Sequence, residues 1–527
     1  MTFVLSKLYA QEHHHHKHEH QKIEHEAKHF FEKGLYYSAL RNYLRLDSTN
    51  KNLPLYKFRI ALCYFNMGRD DKALPFFEEC LKSPNAHPGA LNFFLAKCYH
   101  YQHRWDKALE FYEKYKAYLK TVKDEKIEKA MQTTNKEIES LKLAQKMSSQ
   151  KSNIVIKNIG KTINTIYPEY APIVSADEKM LIFTSCRPDS KGGKIEETDG
   201  RYHEDIYVSF KESNGEWGTP KPISDNINTV ENDAAIALSP DGHKLIIYRH
   251  TSGRRNELAS GDLYMSEFNG TEWSIPKKLD NKINSSAWEP SATITSDERV
   301  MIFASDRKGG LGGTDLYIIR KNPDGTWKEA ENLGPKINTP ADEDAPFLHP
   351  DGKTLYFSSK GYDGMGEFDI FYSKFDEGKK EWTAPKNVGY PINSAHDDLY
   401  ITWSADGKRA YFSTMRKDGF GDKDIYVAQA DEVVSDLLLM SGTVRDSEST
   451  KVIANSAILL KDSNTNEIIG LFQTEEVTGK YLLVFQEGIK YTIEVVSSGY
   501  KTKSETFELG KNSGFKSVSK DFMLEKE

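Results

Sequence analysis

The sequence predicts a multi-domain chain, α-helical first and all-β thereafter. It should hold helical repeats, a closed ring of five four-stranded units and a small β-sandwich. Three observations predict this. Small and aromatic residues recur at intervals of 34 and 35 up to about residue 118. From residue 164 an Ile-Asn motif, a turn acid and an Asp-[Ile/Leu]-[Tyr/Phe] strand recur together five times. Residues 440–527 alternate apolar and polar without that period.

Composition narrows the class. The 527 residues carry 71 Lys+Arg against 78 Asp+Glu, a net charge of −7. That acidic balance argues against nucleic acid as a partner, because phosphate neutralisation needs a basic surface. A mean hydropathy of −0.64 and the lack of an 18-residue apolar run leave no transmembrane segment. Aromatics at 12% argue against disorder, and four Cys exclude a disulfide-dense scaffold.

Residues 1–20 read as a signal-peptide remnant and His-rich tail. MTFVLSKLYAQ is half apolar, with Ala10 at a small-residue cleavage position; the other reading is a frayed terminus. His13 to His16, His18, His20, His25 and His29 follow. Such a tract can hold transition metals loosely, and His25 to His29 match the H-E-x-x-H zinc pattern. No third ligand follows at a suitable distance, so no metal site and no cofactor are expected.

Residues 21–148 should be helical repeats with a capping helix. Ala27, Ala61 and Ala96 share a spacing with Phe30, Tyr64 and Tyr99. Ala39, Ala73 and Ala108 share it with Tyr43, Phe77 and Tyr112. Small residues let paired helices approach, and aromatics fill the groove between repeats. This pattern resembles the tetratricopeptide repeat. Ala27 then sits at a crowded position, so the H-E-x-x-H match belongs to a repeat helix. Cys63 and Cys98 are equivalent positions on successive repeats, too far apart for a disulfide and read as buried small residues, as is Cys80.

Residues 150–432 should form the ring. Asn164, Asn228, Asn284, Asn338 and Asn393 end the Ile-Asn motifs, and a turn acid follows thirteen residues after each: Asp177, Asp241, Asp297, Asp351 and Asp406. Asp-Gly between apolar runs signals a hairpin. The third strand starts at Asp205, Asp262, Asp315, Asp369 and Asp424, and an outer strand begins at Trp217, Trp273, Trp327 and Trp382. Four strands per unit, repeated, is the plan of a five-bladed β-propeller. The fifth unit lacks its outer strand, which segment 153–160 should supply, closing the ring and sealing its edges. The S-x-D-[GE] turns, S-x-R ends, G-G-x-G-G-x-D run and D-[IL]-Y strands resemble the PD40 (WD40-like) blades of TolB-type propellers.

An acid lies five residues after each motif Asn: Glu169, Asp233, Glu289, Glu343 and Asp398. These begin the innermost strands and should ring one mouth of the channel. Five carboxylates could bind a cation or a basic peptide. The other reading pairs them with Arg187, Arg307, Lys360 and Arg416 or has them cap a turn, because unpaired acids repel one another. The loops Gly309–Asp315, Asp363–Asp369 and Asp418–Asp424 look like calcium turns but lack the regular spacing. Their glycines are read as positive-φ turns.

Residues 440–527 should be a seven-strand-like sandwich. Gly442-x-Val444-x-Asp446, Gly479-x-Tyr481, Tyr491-x-Ile493 and Gly499-Tyr500 resemble the carboxypeptidase regulatory-like (transthyretin-like) domain. No nucleophile elbow, P-loop or Cys₄ zinc pattern is present, and the residues after the ring leave no room for a hydrolase domain, so no enzyme is expected.

The order of modules resembles Bacteroidetes envelope proteins, including a component of the type IX secretion system. That resemblance implies a periplasmic, outer-membrane-associated scaffold or assembly factor that meets other envelope proteins through its repeat groove and propeller face. A propeller that senses a peptide or glycan is the alternative. Those proteins continue into an OmpA-like domain that has no counterpart here, so peptidoglycan binding is not expected.

Overall fold

The structure, a computed structural model, describes residues 19–49, 54–82, 88–123, 126–250, 261–295, 297–416, 418–430, 437–510 and 514–527. The export-signal reading of residues 1–11 and the histidines at 13–16 and 18 fall outside the described residues. The chain forms two compact units, Met1–Ser149 with Lys194–Tyr202, and Gln150–Gly193 with His203–Glu527. Among the described residues no helix is long and apolar enough to cross a membrane.

The first unit is helical: α1 (19–32), α2 (Tyr36–Thr49), α3 (Pro54–Asn66), α4 (Asp70–Cys80), α5 (Pro88–Tyr101), α6 (Trp105–Leu119) and α7 (Ile127–Ser149). Ala27, Ala39, Ala61, Ala73, Ala96 and Ala108 are all fully buried, so the helix backbones approach closely. Tyr43, Phe77 and Tyr112 are buried beside them. Each hairpin turns through a left-handed residue: Gly34 (φ 75°), Gly68 (φ 73°) and His103 (φ 56°). Where the third copy carries His103, its ring stacks on Trp105 at 4.7 Å. Helix α7 is tied down by Glu137, which accepts from Lys97 Nζ at 2.9 Å and Tyr112 Oη at 3.2 Å. Residues 194–202 belong to this unit: Tyr37 N–H donates to the Thr198 carbonyl at 3.1 Å.

In the second unit five antiparallel sheets follow one another. The first holds β2 (Glu169–Val174), β3 (Met180–Ser185), β4 (Asp205–Phe210) and β5 (Lys221–Pro222). The second holds β6 (Asp233–Leu238), β7 (Lys244–His250), β8 (Gly261–Glu267) and β9 (Lys277–Lys278). The third holds β10 (Ala292–Ile294), β11 (Val300–Ser305), β12 (Asp315–Arg320) and β13 (Glu331–Asn332). The fourth joins β14 (Glu343–Leu348), β15 (Thr354–Ser359) and β16 (Asp369–Asp376), with β17 (Glu381–Trp382) and β18 (Lys386–Asn387) both on β16. The fifth joins β19 (Leu399–Trp403), β20 (Arg409–Thr414) and β21 (Asp424–Gln429), and its outer strand is β1 (Val155–Asn158), paired Val155 to Gln429 and Asn158 to Tyr426. The inner strands β2, β6, β10, β14 and β19 touch in cyclic order, β19 meeting β2.

The apolar core of this unit lies between neighbouring sheets. Ile182 and Val208 of the first pack with Leu245 and Ile247 of the second, and Leu181, Phe183 and Tyr207 of the first pack with Ile425 of the fifth. The outer strands pair over only two residues in sheets one to four. The repeated Trp mostly precedes that pairing: Trp217, Trp273 and Trp327 bridge Lys211, Phe268 and Lys321 across a short turn. The turn position that is Gly in three sheets is Glu178 or Glu298 in the other two, at φ 53° and 57°. Glu178 accepts from Arg409 Nε at 2.7 Å, and Glu298 from Lys244 Nζ at 2.7 Å. The acidic variants therefore tie one sheet to the preceding one.

Among the described residues the C-terminal region is all-β, with eight strands where seven were expected and the first of them starting at Leu437. One sheet holds β22 (Leu437–Asp446), β25 (Lys480–Gln486), β28 (Lys516–Ser519) and β29 (Phe522–Leu524). The other holds β23 (Ala457–Asp462), β24 (Ile468–Gln473), β26 (Lys490–Val496) and β27 (Lys503–Glu508). Val444, Leu483 and Phe522 of one face Ile458, Phe472 and Ile493 of the other in one core. Its first strand packs Leu437 and Leu439 against Ala176 and Ala405, beside the hairpin turns of the first and fifth sheets.

Candidate functional site

The Ile-Asn motif is a clamp. Each Asn side chain satisfies both backbone groups of one residue on the third strand of the preceding sheet. Asn228 takes the N–H of Ile206 and donates to its carbonyl, both at 3.0 Å. Asn284 does so with Leu263, Asn338 with Leu316 and Asn393 with Ile370. Asn164 closes the cycle on Ile425, with both bonds at 2.9 Å. A short amide side chain suits this task because it carries one donor and one acceptor side by side.

The clamped loop then receives its own carboxylate. The N–H and hydroxyl of Thr165 donate to Glu169, both at 2.7 Å. Thr229 does so to Asp233, Ser285 to Glu289, Thr339 to Glu343 and Ser394 to Asp398, at 2.6 to 3.0 Å. All five acids are fully buried. Three take an arginine: Arg187 Nε to Glu169 at 3.2 Å, Arg249 Nε to Asp233 at 2.6 Å, and Arg307 Nη2 to Glu289 at 3.2 Å. The same arginines donate to the Ile carbonyl before each motif Asn.

The partners differ in detail from those the spacing suggests. In the second sheet the cation is Arg249, at the end of β7. In the fourth, Lys360 meets Asp342 at 3.5 Å instead of Glu343, and the Tyr362 hydroxyl takes over the carbonyls of Lys336 and Ile337 at 3.0 and 3.1 Å. In the fifth, Arg416 Nη2 donates to Pro391 and Ile392, while its Nε and Asp398 Oδ1 are buried without a hydrogen-bond partner. Burial raises the Glu169 and Glu343 carboxyls despite their loop hydrogen bonds. It pushes Asp398 up to about 6, against the pull of Arg416. The first acid of each third strand lies close by: burial, with a contribution from Asp233, holds Asp205 at about 6, and burial with Asp398 drives Asp369 well up.

None of the five acids lines the central cavity. Its wall at this end begins two residues further on, at Ala171, Ser291, Ala345 and Tyr400. Ala171, Ala345 and Tyr400 have positive φ (49°, 50° and 58°), where a bulge shifts the register of β2, β14 and β19. The remaining wall mixes apolar side chains, among them Ile173, Ile236, Ile294, Phe347 and Ile401, with the hydroxyls of Ser239, Thr293 and Thr402.

A second set of residues gathers at the same end, and sequence reasoning missed it because its members are not equivalent between repeats. Tyr170 is coupled to Glu204 by charge and hydrogen bonding, and burial raises its hydroxyl. Trp288 Nε1–H donates to Tyr248 Oη at 3.2 Å. Burial raises Tyr400, helped by the charges of Asp344 and Glu204 and by Tyr248. Asp344 is held by the Ser291 hydroxyl and by Ala345 N–H at 2.6 Å. The signal available in sequence was a departure from the repeat: Tyr400 stands where the first and fourth sheets have Ala, and Asp344 where the second has Ala.

The glycine loops are explained by close approach, not by positive φ as expected. Of their glycines only Gly309 has positive φ (96°). A Cβ on Gly312 would lie 1.8 Å from the Ala341 carbonyl, and one on Gly421 2.4 Å from that of Ile166. The acid ending each loop accepts its backbone N–H groups: Leu311 to Asp315 at 2.5 Å, Met365 to Asp369 and Phe420 to Asp424 at 2.7 Å. Elsewhere, His25 and His29 are exposed on α1, and among the described residues no group of three His, Cys, Asp or Glu is placed to hold a metal. The four cysteines are buried and in no disulfide; burial pushes Cys63 up to about 12 and Cys80 to about 11.

No family model matches this chain, and no curated protein matches it. Among solved structures, an α-L-arabinofuranosidase from Lactobacillus brevis aligns over 52% of this chain and 92% of its own, at 12% identity and a TM-score of 0.34. A protein of unknown function from Dyadobacter fermentans aligns over 49% and 76%, at 16% identity and 0.31. The Sgt2 TPR domain from Aspergillus fumigatus aligns over 25% and 86%, at 19% identity and 0.21. None of these superpositions is close enough to assign a fold or an activity.

Proposed function

We propose that this chain is a non-catalytic protein–protein interaction scaffold or assembly factor of the bacterial cell envelope, associated with type IX secretion. In this reading the helical hairpins are tetratricopeptide repeats. The five sheets are PD40-type blades of one β-propeller, with β1 as the closing strand, and the C-terminal sheets form a transthyretin-like sandwich. The cyclic contact of the inner strands and the Asn164 clamp on Ile425 support a closed ring.

One observation carries the non-catalytic reading. The groups able to do chemistry are committed to structure: five carboxylates hold their own loops, and the Cys63, Cys80 and Cys98 thiols are buried and raised. What remains for a partner is surface and cavity. The vestibule of Tyr170, Glu204, Tyr248, Trp288, Asp344 and Tyr400 also favours a second reading, a propeller that senses a peptide or glycan.

Cross-linking pull-down from the envelope fraction tests the first reading. Recovery of envelope proteins with the full chain is expected. A purely cytosolic protein with no envelope partner would sink it. The second reading predicts a saturable isotherm with a small envelope ligand.

A further inference from the structure

We propose that the seam between the fourth and fifth sheets holds a binding slot for a planar aromatic group of about indole size. This goes beyond the scaffold reading, because it needs only the order of the sheets.

The other seams show what such a slot holds. Each of the first four sheets places the tryptophan ahead of its outer strand against the sheet before it. Trp273 shares a core with Ile182, Val208 and Ile227, between the first and second sheets. Trp327 shares one with Ile246 and Ile283, and Trp382 one with Ile302 and Ile337. Trp217 packs with Ile163 and meets Tyr411 of the fifth sheet edge-on at 6.3 Å. Each indole also has a companion from its own sheet. Phe268 lies 5.1 Å from Trp273 and Phe375 lies 5.3 Å from Trp382. Lys211 sits over Trp217 at 5.1 Å and Lys321 over Trp327 at 4.9 Å.

The fifth sheet lacks both members of this pair. Matching Lys157-Asn158-Ile159-Gly160 to Lys386-Asn387-Val388-Gly389 puts Asn153 where the other sheets have tryptophan. Counting from Asp424 puts Ala430 where they have phenylalanine or lysine. Asn153 and Ala430 both line a slot of about 400 Å³. That volume falls in the range of small-ligand sites, roughly 300–1,000 Å³. Ile392 and Val388 line it too, at the positions that Ile227 and Ile223 hold beside Trp273.

The remaining walls are aromatic where the other seams are aliphatic. Tyr356 stands at the position of Ile182, Ile246 and Ile302 in the first three sheets. Tyr372 replaces Val208, Met265 and Ile318, and Trp403 stands where the other sheets have Val, Leu or Ile. The three rings adjoin, with Trp403 5.6 Å from Tyr356 and Tyr356 5.8 Å from Tyr372. These larger walls do not fill the slot, and they change what it selects. Ring pairs gain stabilisation beyond their buried area, which an aliphatic guest forgoes. Trp403 Nε1–H is buried with no hydrogen-bond partner, and a guest's ring face or oxygen would accept it. Lys374 and Asp351 both line the slot and carry opposite charges, so a neutral guest fits best.

An indole can arrive free or on a polypeptide, and the test separates the two. The full chain is titrated by calorimetry with indole, with N-acetyltryptophanamide and with a peptide copying residues 382–389. Cyclohexanol is the aliphatic control. Fluorine NMR of fluoroindole gives a second readout, free of the protein's own tryptophans. Saturable binding of an indole probe is expected. It should be about tenfold weaker for cyclohexanol and for Trp403→Leu, which copies the second and fourth sheets. Asn153→Trp with Ala430→Phe copies the same two sheets. It should abolish binding and raise the melting temperature, because the slot then holds its own indole. Far-ultraviolet circular dichroism checks that each variant folds. Tighter binding of the peptide assigns the group to a polypeptide; binding of indole with the peptide excluded assigns it to a small molecule. Both outcomes uphold the slot. No saturable binding, equal binding of cyclohexanol, or binding that survives Asn153→Trp with Ala430→Phe overturns the inference. Envelope cross-links without indole binding would remove the slot and leave the scaffold reading standing.

Discussion

Two sets of residues surround the same end of the cavity, and they obey opposite rules. The five acids from Glu169 to Asp398 are equivalent in every repeat, fully buried and bonded to their own loops. The vestibule residues are each different and come together only in three dimensions; Asp344 is buried and the other five lie between buried and exposed. Repetition marks what every sheet needs to be built. A break in repetition marks what only one place needs to do. The comparison makes the acids positioning residues for the ring and leaves the irregular set as the candidate for recognition.

The largest effect should come from breaking a repeated position. Asp233→Ala leaves Arg249 buried without its carboxylate and frees the Thr229 loop. Removing one partner of a buried pair costs about 3–5 kcal/mol. Denaturant unfolding should show a loss of that size in the variant. A loss below about 1 kcal/mol would mean the acids are dispensable for the ring, and the contrast with the vestibule would collapse.

The second prediction uses pH. Asp205 and Asp398 sit at about 6 in the folded chain, raised by burial from a reference of 3.8, and Asp369 is raised further. Between about pH 4 and 6 the folded state keeps protons that the unfolded chain has released, so these groups make stability fall as pH rises. Asp205 and Asp398 each contribute at most about 3 kcal/mol across that window. Asp351, lowered to about 2 by His349 and Thr354 against the cost of burial, acts the other way below pH 4. Thermal stability should therefore peak near pH 4–5. Asp398→Asn removes one titrating group and its repulsion of Asp369, so the slope between pH 4 and 6 should flatten. An unchanged slope would show that the buried carboxyls titrate normally.

Much of this was legible because it repeats. A burial requirement imposed five times leaves five copies of Asn and acid, and close helix packing leaves alanines at intervals of 34 and 35. The rest was hidden for physical reasons. Arg249 was missed because β7 ends in Tyr-Arg-His instead of the Ser-x-Arg pattern. Tyr362 was missed because a hydroxyl can replace a guanidinium as donor to the same carbonyls. The glycines at 312 and 421 were misread because sequence shows a missing side chain but not whether space or φ demands it. The vestibule was invisible because nonequivalent positions meet only where the inner strands of different sheets touch.

A third prediction concerns the turns that depart from the repeat without touching the vestibule. Glu178→Gly relieves a left-handed glutamate but removes the carboxylate that Arg409 and Tyr411 share. Strain of this kind is of order 1 kcal/mol, while a half-buried charged bond contributes about 1.5–3 kcal/mol. A net loss of about 1–2 kcal/mol is expected in denaturant unfolding. A gain would mean the inter-sheet tie is too solvated to matter.

The smallest stability effect should fall on the vestibule itself. Tyr400 holds φ 58°, where the first and fourth sheets place alanines at 49° and 50°. Tyr400→Ala copies those sheets, so the bulge geometry is already proven compatible with the smaller residue. The side chain is only half-buried, and its removal opens onto a cavity that already exists, so packing loss is limited. Stability should change by less than about 1 kcal/mol in denaturant unfolding. A loss of several kcal/mol would place Tyr400 with the acids as part of the scaffold, and the division between repeated and irregular residues would no longer track the division between folding and recognition.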